Sequence, residues 1–305
     1  MNTLTTRESG IPTLATVWND YQQTRDLKPA TIRNYSHRLK NYLHDWLELP
    51  VDQITKVMVE IRHREIEGHA TANSTFRTLR ALLHYAAIKY ENSDGAPLLK
   101  ANPVRRLSEL RAWHKDRRRK SVIPMGQIGT FYRAVWSLEN VTARDYLVLL
   151  LFTGLRSHEA VSLRWEQVDL KNGTILIPDE KAKNGEGNLI PVSSFIWKLL
   201  EVRKFGSISD FVFPGKYKNR GYVSNIAKCS QSVKKKTGIN FCLHDLRRTF
   251  ITVADELEIK DGVVKQLVNH KRNDITESYT IRSIERLRRA TQLVSNQIAL
   301  LSHKR

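Results

Sequence analysis

The run RDYLVLLLFTGLRSHEAVSLRW, residues 144–165, limits what this chain can fold into more than any other stretch. Tyr146 to Phe152 are apolar without a break, which reads as a strongly apolar helix that has to sit in a core. Thr153-Gly154 interrupts it. Arg156 and Glu159 follow, three apart and so on one helix face. Apolar residues flank the pair on both sides, which implies partial burial, and a buried guanidinium needs an anionic partner.

A second stretch, FCLHDLRRTFITVAD (241–255), poses the same problem. Leu243, Leu246, Phe250 and Val253 recur at helical spacing and form one packed stripe. His244 lies three residues before Arg247 and four before Arg248, so the histidine and an arginine point into the same space. Two groups that both donate protons do not pair with each other; they belong together when an anion sits between them. The composition agrees. Lys plus Arg total 50 against 31 Asp plus Glu, a formal charge of +19, and the sequence pI is about 10. A chain this basic meets a polyanion, nucleic acid before an anionic membrane. No apolar run approaches the length of a membrane span, and the N-terminus lacks a signal pattern. Cys229 and Cys242 make neither a disulfide framework nor a zinc site. The expectation is a cytoplasmic, DNA-associated protein.

The organisation reads as two domains. Residues 1–11 form a tail. Residues 12–110 form a helical domain: Leu14, Val17, Trp18 and Tyr21 make one stripe, and Pro29 opens a helix carrying Ile32, Tyr35, Leu39, Tyr42 and Trp46. A third helix is expected over about 55–67, ending at Gly68, and a fourth over 74–90. The basic run RAWHKDRRRK falls in a linker, 111–122, whose Arg117, Arg118, Arg119 and Lys120 are candidate DNA contacts. Residues 123–305 form the larger domain. Within it GTILIP (173–178) and NLIPV (188–192) read as strands joined by a hairpin loop containing Asn184-Gly185. DFVFPG (210–215) is a further extended piece. Ile284, Leu287, Val294, Ile298 and Leu301 form a helical stripe in the tail. The fold class is mainly α with a small antiparallel β-sheet: an N-terminal helical domain with basic outer faces followed by a larger α+β domain.

The order Arg156, Lys183, His244-x-x-Arg247, His270, Tyr279 resembles the tyrosine recombinases, the group that includes phage lambda integrase and the bacterial chromosome-dimer resolvases. TGLR, HDLRRTF and a histidine followed nine residues later by Tyr279-Thr280 carry the resemblance. It spans about residues 12–300, with the specific motifs in 123–290, and the N-terminal helices look like the family's core-site binding domain.

The resemblance implies a site-specific recombinase that breaks and rejoins double-stranded DNA without metal, ATP or other cofactor. Tyr279 would attack a phosphate to give a 3′-phosphotyrosyl bond and a free 5′-hydroxyl. Arg156 and Arg247 would grip the non-bridging oxygens through bidentate forks. His244 and His270 would add hydrogen bonds, with His244 placed to help accept the tyrosine proton. Lys183 would protonate the leaving 5′-oxygen, with Lys181 the competing choice in the same loop. Glu159 would support Arg156, and Arg248 would contact backbone phosphate or a structural acid. The working assembly would be a homo-tetramer on paired sites, with the tail stripe docked on a neighbouring protomer or on its own domain, and with room for an accessory DNA-bending or directionality factor. An integrase of a mobile element is favoured over a housekeeping resolvase. The alternatives are a catalytically silent DNA-binding regulator and a type IB topoisomerase-like relaxing enzyme.

Two departures from the family pattern stand out. Val268-Asn269-His270 replaces the usual Leu-Gly-His, and Asn tolerates the left-handed helix-ending conformation nearly as well as Gly. The hairpin offers two lysines, Lys181 and Lys183, for one role. In architecture, the expectation from the roughly eleven residues before the first expected helix is a simple recombinase lacking the separate arm-site domain of many phage integrases.

Overall fold

The computed structural model describes residues 10–303 except for Ser93, 116–119, 180–186, 216–220, Asn225 and 271–282. The chain divides into two compact units, Met1–Arg119 and Lys120–Arg305. Among the described residues no helix is long and apolar enough to cross a membrane.

The first unit is helical: α1 (Leu14–Thr24), α2 (Pro29–Tyr42), α3 (Lys56–Glu65), α4 (His69–Lys89) and α5 (Arg105–Glu109). Thr13 and Thr55 cap α1 and α3 by accepting from Thr16 and Met58 backbone N–H groups, each at 3.2 Å. Leu14, Val17, Leu39, Phe76, Leu79, Leu82 and Leu83 close into one core. Two sequence expectations shift. The helix expected from 74 begins at His69, because Gly68, at φ +88°, turns the chain directly into it; Ala72 and Asn73 in that first turn are buried. Trp46 is not on α2, which ends at Tyr42; it lies in a one-turn 3₁₀ helix, His44–Trp46, that still delivers its ring to the core.

The stretch expected as a linker is shared out. Ala112 and Trp113 pack on the first core. The Asn73 side chain holds His114 by both main-chain groups, donating to its carbonyl (2.8 Å) and accepting from its N–H (3.2 Å). Ser121 and Ile123 belong to the second unit, bonding Asp245 (2.9 Å) and Thr249 (2.8 Å).

The second unit is built around α7 (Val141–Thr153), capped by Asn140. Every residue from Asp145 to Thr153 is buried, as the unbroken apolar run requires. Against α7 pack α6 (Ile128–Trp136), α8 (Ser157–Val161), α9 (Ser194–Lys204), α11 (Leu243–Glu256) and α13 (Ile284–His303). The described residues add α10 (Ile226–Thr237) and α12 (Asp261–Leu267). The small sheet is antiparallel in order β1 (Val168–Asp169), β2 (Thr174–Ile177), β3 (Asn188–Pro191), with Ile175 opposite both Val168 and Ile190. The 210–215 piece stays out of this sheet, bridging instead at Arg164–Phe211 and Pro214–Tyr222.

The tail helix α13 docks on its own domain. Leu287, Ala290, Val294 and Ile298 are buried against neighbours that include α6, α7, α11, α12 and β3. This is the own-domain arrangement of the two expected: the stripe completes the core that surrounds α7.

Candidate active site

Arg156 is placed by the break between α7 and α8. Gly154 ends α7 in the left-handed region, φ +64°. A Cβ there would lie 2.7 Å from Phe250 Cδ1 and 3.1 Å from Val268 Cγ1, so only glycine fits. Two residues on, Arg156 is the N-cap of α8. Glu159, buried, binds it twice: Oε2 accepts from the Arg156 backbone N–H (3.1 Å) and Oε1 from Nη1 (2.8 Å). The remaining fork of the arginine, Nη2, donates to the Asn269 carbonyl at 2.7 Å.

Arg247 lies on the packed stripe itself, only 1% exposed. Nη1 donates to the Gly154 carbonyl (2.9 Å) and Nη2 to the Val268 carbonyl. Its Nε is buried without a partner among the described residues. Among the described residues no carboxylate bonds to it. Burial, then the neighbouring Arg156 guanidinium, push its pKa down to about 10, with Glu159 opposing. It stays cationic at neutral pH.

His270 follows the turn that both arginines bind. The turn is a Schellman motif at the end of α12: Asn269 adopts φ +48°, its N–H donates to Gln266 O (3.1 Å), and the His270 N–H donates to Lys265 O (2.9 Å). The left-handed conformation expected at Asn269 is the one it takes. His270 is exposed. Partial burial, then Arg247, Arg156 and His244, nonetheless push it down to about 4. His244, in the first turn of α11, is exposed on the same side.

Arg156, Arg247, His244, His270 and Glu159 are thus brought together from α8, α11 and the end of α12. Among the described residues two fixed guanidinium charges face one carboxylate, and like charges held side by side in a partly dry site store a preference for an anion. Lys183 and Tyr279 lie outside the described residues, as do Lys181, Arg117, Arg118 and Arg119. Lys120 is exposed. Arg248 takes the acid rather than an open position: Nη1 donates to Asp245 Oδ1 at 2.9 Å. Among the described residues no group of three His, Cys, Asp or Glu side chains is placed to hold a metal.

Sequence reasoning missed two parts of this site. Asp245 is fully buried and accepts from Ser121, from the Cys242 N–H and from Arg248. Its position three residues after the N-cap Cys242 was a readable signal, since an acid there reaches back to the cap N–H. The Val268 and Asn269 carbonyls have no such signal, because a backbone acceptor is the same in every residue.

Residues 126–286 match the model of the phage integrase family. The prophage integrase IntF of Escherichia coli (strain K12) is 29% identical over 80% of this chain and 53% of its own length. The tyrosine recombinase XerA of Thermococcus kodakarensis is 23% identical over 89% of this chain and 92% of its own. A lambda integrase tetramer bound to a Holliday junction shares the fold at TM-score 0.66 and 19% identity, covering 90% of this chain and 81% of that one. The chain spans about half the length of the prophage integrases it matches. The matched region contains α6 to α12, the three strands and every side chain gathered above, and the chain belongs to the phage integrase family, the tyrosine recombinases.

Proposed function

We propose that this protein is a site-specific DNA recombinase that cuts and reseals duplex DNA through a 3′-phosphotyrosyl intermediate. The observation that carries the reading is the pair Arg156 and Arg247, both bonded to successive carbonyls of one turn, with surplus positive charge and His270 beside them.

In this reading the scissile phosphate sits against the two guanidiniums. The Tyr279 phenol oxygen attacks phosphorus; the new O–P bond forms as the bond to the 5′-oxygen breaks. Lys183 supplies the proton that the 5′-oxygen takes up, and His244 helps to receive the proton the phenol gives up. Negative charge grows on the non-bridging oxygens, where Arg156, Arg247 and His270 meet it with hydrogen bonds already in place. Glu159 holds Arg156 and does not touch the phosphate. The covalent link keeps the phosphodiester bond energy for rejoining, so the chemistry of these side chains requires neither a metal ion nor ATP. The basic run through Lys120 tracks the duplex backbone, and four protomers act on two paired sites.

The test uses nicked suicide duplexes cut from the DNA flanking the protein's own gene. The expected result is a covalent protein–DNA adduct with wild type and none with Tyr279→Phe, which binds the same duplex with unchanged affinity. Adduct formation by Tyr279→Phe would assign the nucleophile elsewhere. A wild type that binds the flanking DNA and never becomes attached would mark a DNA-binding regulator.

A further inference from the structure

We infer that Asn269 is a positioning residue: its left-handed backbone turns the Val268 and Asn269 carbonyls onto Arg247 and Arg156, so that one turn sets the spacing of both guanidiniums. The inference rests on the proposed strand-cleavage chemistry for what the arginines do, but its geometry is independent of it. Arg156 and Arg247 stand 91 positions apart and belong to different helices, α8 and α11. Nη2 of Arg156 goes to one carbonyl of the turn and Nη2 of Arg247 to the preceding one.

Carbonyls at the end of a helix have no intrahelical donor. Here the arginines are their donors, and the exchange is mutual: the buried Arg247 guanidinium finds its acceptors in backbone carbonyls. The turn is held independently of the arginines. Its N–H groups are satisfied within α12. The Gln266 carbonyl also accepts from Asn188 Nδ2 at 2.7 Å, tying the end of α12 to β3. The Val268 side chain lies on the other side against Gly154, whose carbonyl is the second anchor of Arg247.

A residue with a Cβ resists φ near +50°, and Asn and Gly resist it least. The identity of residue 269 therefore matters through the backbone. Alanine would favour a right-handed φ, swing both carbonyls, and carry the His270 ring with them.

The test compares Asn269→Ala and Asn269→Gly in the full chain. Single-turnover adduct formation on saturating suicide duplex, DNA affinity and thermal midpoint are measured, with rates taken well below each midpoint. Asn269→Ala is expected to slow adduct formation by about 10- to 100-fold, since small misplacements near the chemistry have effects of that order. Its DNA affinity should stay within a factor of about two. Asn269→Gly is expected to cleave like wild type. Equal damage by Gly and Ala would place the effect in the side chain and overturn the inference, as would an Ala variant with wild-type rate. If Ala fails to fold, Asn269→Asp, which also accepts the left-handed region, must match Gly, and an inactive Asp variant counts against it. A readout without catalysis separates this inference from the function: the His270 titration, followed by NMR. It should move up toward 6.5 in Asn269→Ala as the ring leaves the guanidiniums, and stay low in Asn269→Gly. An unmoved titration in Asn269→Ala overturns the inference even if the wild type forms no adduct.

Discussion

At the scale of residues, Arg247 carries the most unusual burden. Among the described residues it is the bulkiest fully buried side chain, and it is a cation. Lysine at this position would keep a charge but lose the fork that reaches the Gly154 and Val268 carbonyls. Arg247→Lys is expected to lower single-turnover cleavage by about 10²- to 10³-fold, the usual effect of losing one donor to developing charge. Gly154→Ala should lower the thermal midpoint clearly, because its methyl group would overlap the Phe250 ring. His270 gives a pH signature. Its folded value near 4 lies below its ordinary 6.5, so between those values the unfolded chain binds the extra proton. Stability should therefore rise with pH across that window and fall on acidification, and His270→Gln should flatten this part of a thermal-midpoint profile. Arg156 with Glu159, and His244 with Arg247, were legible as pairs set in an apolar frame at helical spacing; His270 joined them only through the resemblance to the tyrosine recombinases. Asp245 was legible only through its capping position three residues after Cys242, because the arginines that follow it dominate the pattern.

At the scale of elements, patterning succeeded where an apolar period was long and failed where a turn decided the boundary. The break of α7 at Thr153-Gly154, the β2–β3 pairing and the stripe of α13 were all legible. The start of α4 was not, since its first turn, His69-Ala70-Thr71-Ala72, is weakly patterned and Gly68 sets the entry. The strand β1 is only Val168-Asp169, too short for any alternation to register. The α13 stripe was visible but not its destination, because an amphipathic face does not say which surface it covers. Its cis docking makes a prediction. Ile298 is fully buried, so Ile298→Ala should destabilise the isolated monomer by about 2–5 kcal/mol in denaturant titrations at low protein concentration. A helix that mattered only for contacts between protomers would leave monomer stability unchanged.

At the scale of the whole molecule, two separately cored units share one strongly basic chain. Each has its own cluster of buried apolar side chains; in the sequence, the basic run and Pro124 mark a linker over 111–122 between them. A net charge of +19 predicts that DNA affinity falls steeply with salt, log K dropping linearly with log salt at about 0.9 per phosphate neutralised. Charge alone says only that a polyanion is bound; the arginine pair makes the claim about chemistry. A double-mutant cycle tests that claim most directly, using single-turnover cleavage rates of wild type, Arg156→Lys, Arg247→Lys and the double variant. Groups acting as one unit on one phosphate are strongly non-additive. The double variant should therefore be about as slow as the slower single variant. A double variant slowed by the full product of the two single losses, or either single variant cleaving at the wild-type rate, would contradict a shared phosphate.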